Sequence, residues 1–275
     1  MVTPSTPQSH PSFPAEFPPV WASDWGEDAY GPWIAFCYLG VRQQLRWIRP
    51  GTFIMGSPET EAQRWADEPP HQVILSQGFW LADTACTQAL WQAVMEGNPS
   101  HFKGEERPVE NVSWDDVQDF LVRLNTVAPD PGFRLPTEAE WEYACRSGTT
   151  TAFWFGDQMT PEQVNYDGNY PYAGGEEGLY REETVEVKAL PCNGWGLYQM
   201  HGNVWEWCQD WLGAYPAEMV VDPRGPAEGE DRVLRGGCWF SSGRFARSAS
   251  RFAGGPGVRF ADAGFRLARG HAVQD

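Results

Sequence analysis

From Leu45 to Leu81, apolar and polar positions alternate in short runs cut by turn residues. Leu45-Arg46-Trp47-Ile48 predicts a strand, Pro50-Gly51 a turn, and Thr52-Phe53-Ile54-Met55 the next strand, ending at Gly56. Val73, Leu75, Phe79 and Leu81 alternate around Gln77-Gly78, which predicts two more strands, while the polar, acidic stretch 58–70 reads as a loop. The period then turns helical. Thr87 reads as an N-cap, with Leu90, Trp91, Val94 and Met95 on the inner face and Gly97-Asn98-Pro99 as the stop. Ser113 caps a second helix, whose Val117, Phe120, Leu121 and Leu124 fall at helical spacing. Thr137-Glu138-Ala139-Glu140 is a capping box that opens a third, with Trp141, Ala144 and Cys145 inward. Beyond Gly148 the helical pattern fades, and residues 150–267 read as long ordered loops with short strands. Loops of that length are, as a rule, functional or pinned by a metal.

Composition narrows the picture. With 15 Trp, 15 Phe, 9 Tyr and 29 Gly in 275 residues, large aromatics sit on a glycine-rich frame, which predicts an α+β domain with much irregular backbone. The expected organisation is a disordered Pro/Ser-rich tail over residues 1–20, an N-terminal extension packed on the domain over 21–45, and a single domain over 46–269. The net charge of −17 argues against nucleic acid, because phosphate binding needs clustered Lys and Arg. No stretch is long and apolar enough to span a bilayer. The six cysteines form no CxxC pair and the N-terminus shows no secretory signal, so they read as reduced core residues of a cytoplasmic protein. Arg244, Arg247 and Arg251 make the C-terminal segment locally basic, which places the acidity elsewhere.

That segment, Arg235 to Leu267, carries most information. Gly236, Gly237, Trp239, Arg247, Ala249, Arg251, Pro256, Arg259 and Gly264-Phe265-Arg266 read as framework; between them lie small, polar or aromatic residues without amphipathic period. From Phe240 to Ala263 there is no Lys, Glu, Gln, Met or Trp, the residue types that codons ending in a pyrimidine cannot encode.

Seven motifs occur in order: Gly51-Thr52-Phe53-Ile54-Met55-Gly56-Ser57, Pro108-Val109-Glu110-Asn111-Val112-Ser113-Trp114, Arg134-Leu135-Pro136-Thr137-Glu138-Ala139-Glu140-Trp141-Glu142, Asn193-Gly194-Trp195-Gly196-Leu197-Tyr198-Gln199-Met200, Gly202-Asn203-Val204-Trp205-Glu206-Trp207, Arg232-Val233-Leu234-Arg235-Gly236-Gly237 and Gly264-Phe265-Arg266. Together they resemble the formylglycine-generating enzyme (sulfatase-modifying factor) family, over about residues 45–268. The resemblance implies a C-type lectin-like fold, α+β and rich in irregular loops. The family's enzymes oxidise a sulfatase cysteine with O2 and a copper ion held by two thiolates, in a pattern like GGSxxCxxxxC. Here the turn is Gly236-Gly237-Cys238, with Ser241 and Ala246 at the two thiol positions. Neither holds Cu(I), so no copper and no catalytic residue is expected.

Closer still in pattern are the variable proteins of diversity-generating retroelements, also of this family. Their C-terminal segment is rewritten so that AAY codons become NNY, which removes the five missing residue types. This resemblance makes residues 237–264 a candidate variable region. Its ligand-binding positions would be Phe240, Ser241, Ser242, Arg244, Phe245, Ser250, Phe252, Ala253, Gly254, Gly255, Gly257, Val258, Phe260, Ala261, Asp262 and Ala263. The four phenylalanines and Arg244 supply the side chains that dominate binding surfaces, each worth about 1–2 kcal/mol when a partner buries it. The family also implies structural Ca2+, with oxygen ligands at Gln199, Gly202, Val204 and Glu206 in one site, and at Asn165 and Tyr166 in a second completed within 178–183. The expectation is a non-enzymatic protein that binds a protein or other ligand through its C-terminal loops. Two alternatives stay open: an oxidase-like enzyme of the family, or an accessory interaction domain with a fixed segment.

Overall fold

The computed structural model describes residues 13–128 and 130–270, so most of the expected tail, with His10, and His271 lie outside the described residues. All four strands and three helices expected between Leu45 and Arg146 form. The helices are α1 (Gln88–Met95), α2 (Trp114–Val127) and α3 (Glu138–Arg146). Their starts follow from local chemistry. The Thr87 hydroxyl accepts from Leu90 N at 3.2 Å. At α2 and α3 the box closes both ways: Asp116 and Glu140 donate their N–H to the Ser113 and Thr137 hydroxyls, and their carboxylates accept from the N–H of Ser113 and Thr137.

Six strands form an antiparallel sheet: β1 (Asp24–Asp28), β2 (Gly31–Tyr38), β3 (Val41–Ile48), β6 (Phe79–Ala82), β13 (Ala268–Arg269) and β7 (Phe133–Arg134), in that spatial order. The hairpin β1–β2 was not expected from the sequence. Residues 24–38 extend the sheet with Ile34 and Phe36 buried beneath. The packed chain also starts before Trp21, since the Phe17 ring lies 5.6 Å from Trp25 and 6.2 Å from Trp80. A second sheet runs β11 (Arg251–Gly254), β10 (Arg232–Arg235), β8 (Trp205–Trp211), β12 (Ala263–Gly264), with β12 parallel to β8. A third contains β4 (Gly51–Met55), β5 (His71–Leu75) and β9 (Val220–Val221). Cys86, Cys145, Cys208 and Cys238 are buried as read, whereas Cys37 on β2 is exposed.

The main apolar core joins α1 and α2 to the second sheet: Trp91 stacks on Phe120 at 5.2 Å, and Phe265 meets Phe120 edge-on at 5.2 Å. The framework arginines form a second, polar interior. Arg235 binds Glu138 (2.7 Å) and Glu142 (2.5 Å), Arg251 binds Glu138 (2.7 Å), and Arg266 binds Glu206 (2.6 Å). These pairs clamp residues 235–266 onto α3 and β8. The segment is therefore an excursion held at one end by β10 and at the other by β13.

Candidate functional site

After β10 the chain turns inward at Gly236 and Gly237, both with left-handed φ (99° and 77°). A side chain at Gly237 would also come within 3.1 Å of the Phe245 carbonyl oxygen, so the turn needs glycine twice over. The turn buries Cys238, whose Sγ lies 3.0 Å from Ser241 Oγ. The Asp262 carboxyl completes this group, and burial pushes the Cys238 thiol well above, and the Asp262 carboxyl above, their ordinary ranges. Asp262 also accepts from Trp205 N through its carbonyl at 2.8 Å. This trio is the floor of the site.

Aromatic rings stand around it in two runs. Phe245 lies between Trp65 (5.9 Å) and Trp205 (6.1 Å); Phe252 stacks on Trp205 at 5.2 Å and meets Phe260, which packs on Trp207. On the other side Trp239 meets Phe240 at 4.8 Å, Phe102 at 5.3 Å and Tyr180 at 6.2 Å. Of the candidate positions, Phe240, Phe252, Gly257, Val258 and Ala261 are exposed, with Phe240 at 48% and Phe252 at 41%. Ser242, Arg244, Phe245, Ala253, Gly255 and Phe260 are half-buried. Ser241 and Asp262 lie almost covered in the floor. Ser250, Gly254 and Ala263 are buried, away from the surface that the expectation gave them. Ser250 and Ala263 are sealed under the frame, and a Cβ on Gly254 would lie 2.6 Å from the Phe260 ring.

The arginines do not form a basic surface. Arg244 lies flat on Trp65, 3.2 Å from the ring centre, and donates to Gln63 O at 2.7 Å. Arg247 is wholly buried against Glu61 (2.6 Å) and Glu68 (2.7 Å). Loop 58–70 is thus a wall of the site, held by the C-terminal segment itself. Its sequence signal was the single aromatic, Trp65, in an acidic loop. The strip 167–180 is the other unforeseen wall: Asp167 N donates to Ser241 O at 3.0 Å and Gly243 N to Tyr170 O at 2.9 Å.

The donors for the metals that the family implies can be tested one by one. At the copper position Cys238 faces a hydroxyl and a carboxyl, and Ala246 is buried without donor atoms, so the set does not fit Cu(I). In the first calcium set both Glu206 oxygens are taken, by Arg266 at 2.6 Å each and by Trp141 Nε1 at 2.7 Å. Gln199 Oε1 accepts from Asn203 at 2.5 Å. The Gly202 carbonyl accepts from Val204 N at 3.0 Å, and the set does not fit Ca2+. The second set differs. Asn165 is fully buried, its Nδ2 donates to Glu183 O at 2.9 Å, and its Oδ1 has no hydrogen-bond donor among the described residues. Tyr166 follows it, buried. A hard cation fits that orphaned oxygen. A separate cavity of about 670 Å³ opens beside the start of α3, lined by Met55, His71, Asp210, Tyr215 and Met219; none of the candidate ligand positions lines it.

Residues 41–271 match the family described as sulfatase-modifying factor enzyme 1-like domain. The chain is 36% identical over 211 residues to the formylglycine-generating enzyme of Mus musculus, covering 73% of this chain and 54% of that protein. To the enzyme of that name from Thermomonospora curvata it is 34% identical over 236 residues, covering 80% and 69%. The chain thus spans roughly half to two thirds of these relatives' lengths. Among solved structures it is similar to Treponema denticola variable protein 1, with a TM-score of 0.76 and 31% identity, covering 86% of this chain and 98% of that one. PvdO from Pseudomonas aeruginosa, at TM-score 0.68 and 23% identity, shares the fold, covering 90% and 98%. The fold is the α+β, C-type lectin-like fold of the formylglycine-generating enzyme type.

Proposed function

The chain belongs to the sulfatase-modifying factor enzyme 1-like family, and on that premise we propose that it is a non-enzymatic ligand-binding protein whose C-terminal loops form a diversified recognition surface. One observation carries this reading. The segment turns its framework arginines inward onto carboxylates, and turns Phe240, Phe252 and Val258 outward. Such a layout suits a frame that stays constant beneath side chains that change. The likeness to Treponema denticola variable protein 1 over nearly the whole of that chain supports it. The ligand-facing set is Phe240, Ser242, Phe245, Phe252, Ala253, Gly257, Val258, Phe260 and Ala261, with Ser241 and Asp262 beneath. Exposed aromatics at the centre of such a surface are the residues from which binding energy is drawn.

The identity to formylglycine-generating enzymes keeps an oxidase reading alive, and the donor set at Cys238 speaks against it. Two measurements separate them. Sequencing the locus across isolates is expected to show replacements confined to residues 240–263, with a near-copy of the gene's 3′ end nearby whose mismatches fall at adenines. Invariance of that segment across isolates overturns the proposal. Copper-dependent oxidation of a CxPxR peptide by the purified chain overturns it equally. A structural Ca2+ enters this reading at Asn165 and Tyr166 alone, as a brace under the 178–183 turn.

A further inference from the structure

The exposed charge beside this surface has the sign opposite to that of the segment itself. Every arginine of the segment is engaged: Arg235 on Glu138 and Glu142, Arg244 on Trp65 and a carbonyl, Arg247 on Glu61 and Glu68, Arg251 on Glu138, Arg259 on Asp116 at 2.6 Å and Arg266 on Glu206. The strip that hydrogen-bonds alongside residues 241–243 is acidic. Glu176, Glu177 and Glu182 are exposed there, Asp167 is half-exposed, and none of the four has an ion-pair partner among the described residues. Its one arginine, Arg181, is turned onto the Pro161 carbonyl at 2.8 Å. The strip also carries exposed apolar side chains, Tyr170 at 64% and Leu179 at 58%. It reaches the aromatic run directly, because Tyr180 stacks on Trp239, which meets Phe240. Burial first, and then the charges of Asp167 and Glu182, push the Tyr180 hydroxyl above its ordinary range.

We infer that the recognition surface continues from Phe240 across Trp239 and Tyr180 onto the 167–182 strip, and that it selects a cationic partner: a Lys- or Arg-bearing peptide segment that also presents aromatic or aliphatic side chains. The inference rests on the proposed recognition surface and adds the chemistry of its partner. The apolar contacts supply affinity when water leaves the rings. The unpaired glutamates set charge complementarity, which steers encounter and rejects acidic partners. The strip lies outside the candidate variable region, so the charge preference is common to all variants while Phe240 and its neighbours tune the fit.

The test uses the full chain and three synthetic peptides with the same tryptophans, spaced by Lys/Arg, by Ser/Gln or by Asp/Glu. Fluorescence anisotropy is expected to show the cationic peptide binding at least about ten-fold more tightly than the acidic one, with the difference shrinking as salt rises from ~50 to ~300 mM. Glu176→Lys/Glu177→Lys/Glu182→Lys weakens the cationic peptide by about ten-fold or more. The same number of reversals on other elements, Glu16→Lys/Glu27→Lys/Glu96→Lys, is the control for the chain's overall charge and changes it by less than about two-fold. Equal weakening by the two triple variants, binding of the acidic peptide as tight as the cationic one, or no binding of any peptide each overturns the inference. Phe240→Ser/Phe252→Ser separates it from its premise. If that variant binds the cationic peptide unchanged, the recognition surface itself is misplaced. If it loses binding while the strip variant does not, the surface stands and its charge preference falls.

Discussion

Arg247→Met is the sharpest probe of the frame. Arg247 is fully buried and bridges Glu61 and Glu68, which are 6% and 0% exposed, and it donates to the Arg244 carbonyl at 3.1 Å. The contact to Glu68 is a close ion pair without hydrogen-bond geometry at Nη2, so its contribution is mainly Coulombic. Methionine fills much of the volume but strands two carboxylates. Breaking a buried pair from one side destabilises by about 3–5 kcal/mol. For a domain of this size each kcal/mol moves Tm by roughly 2–4 °C, so a fall of about 10 °C is expected by calorimetry at neutral pH. The pH dependence has a defined sign. Burial already holds the Glu61 carboxyl above its ordinary value against the opposing pull of Arg247, and removing the arginine raises it further. A carboxyl raised in the folded state stabilises below its unfolded pKa, and that stability is lost as pH rises through the folded pKa. The deficit of Arg247→Met therefore shrinks at pH ~5 and widens toward pH ~8. Arg247→Lys recovers only part, because one ammonium cannot reach both carboxylates as a fork does. A Tm within about 2 °C of the unchanged chain, or a deficit equal at both pH values, refutes the reasoning.

Gly254→Ala places a methyl 2.6 Å from the Phe260 ring and 3.4 Å from Trp207, and is expected to destabilise by about 1–3 kcal/mol in chemical denaturation. Gly257→Ala meets nothing closer than 3.6 Å and stays within about 0.5 kcal/mol; the reverse order would show that the interior and surface positions are misassigned. Asp116 is held down to about 2, first by its hydrogen bonds to Arg259. Its contribution is present above the unfolded value of about 3.9 and lost as pH falls toward 2, so Asp116→Asn should cost about 1–2 kcal/mol at neutral pH and little at pH ~2.5. Because Arg259 is 59% exposed, solvent screens that pair and the capping box carries most of the effect; a deficit that does not fade on acidification counts against it. Added Ca2+ at ~1 mM should raise Tm by a few degrees and leave Asn165→Ala unmoved, as read by scanning fluorimetry with and without chelator; no shift in the unchanged chain removes the ion from the account.

The helices were legible because their signals are local. A capping hydroxyl and an acid three residues on fix a start at Ser113 or Thr137 whatever the rest of the chain does. The hairpin β1–β2 was not. Trp25 and Tyr30 lie outward on it, and their size masks the alternation that Ile34 and Phe36 carry underneath. The site was half legible. Motif order located the segment and marked its arginines as framework; Arg235, Arg247, Arg251 and Arg266 are bound inward, while Arg259 pairs with Asp116 at the surface. Small residues carry no periodic signal, so nothing distinguished buried Ser250 and Ala263 from exposed Gly257 and Ala261. Trp65 apart, the walls from loop 58–70 and from strip 167–180 left no signal, because they meet the segment across 100 residues or more, or through backbone hydrogen bonds that no side chain announces.

The carboxylates that bind the segment's arginines all lie outside it, at Glu61, Glu68, Asp116, Glu138, Glu142 and Glu206. The course of the backbone is thus set by pairs between fixed positions, and exposed Phe240, Phe252 and Val258 belong to none of them. Substitutions at sites without shared partners act nearly additively. A change at an exposed position therefore alters what the surface touches without altering where the loop runs. The half-buried rings mark the limit of that freedom. Phe245 touches Trp65 and Trp205, and Phe260 touches Trp207 and closes on Gly254, so replacements there move the floor as well as the surface. Tolerance to substitution should consequently be graded, widest at Phe240 and Val258, intermediate at Phe252 on its Trp205 stack, and narrowest at Phe245 and Phe260.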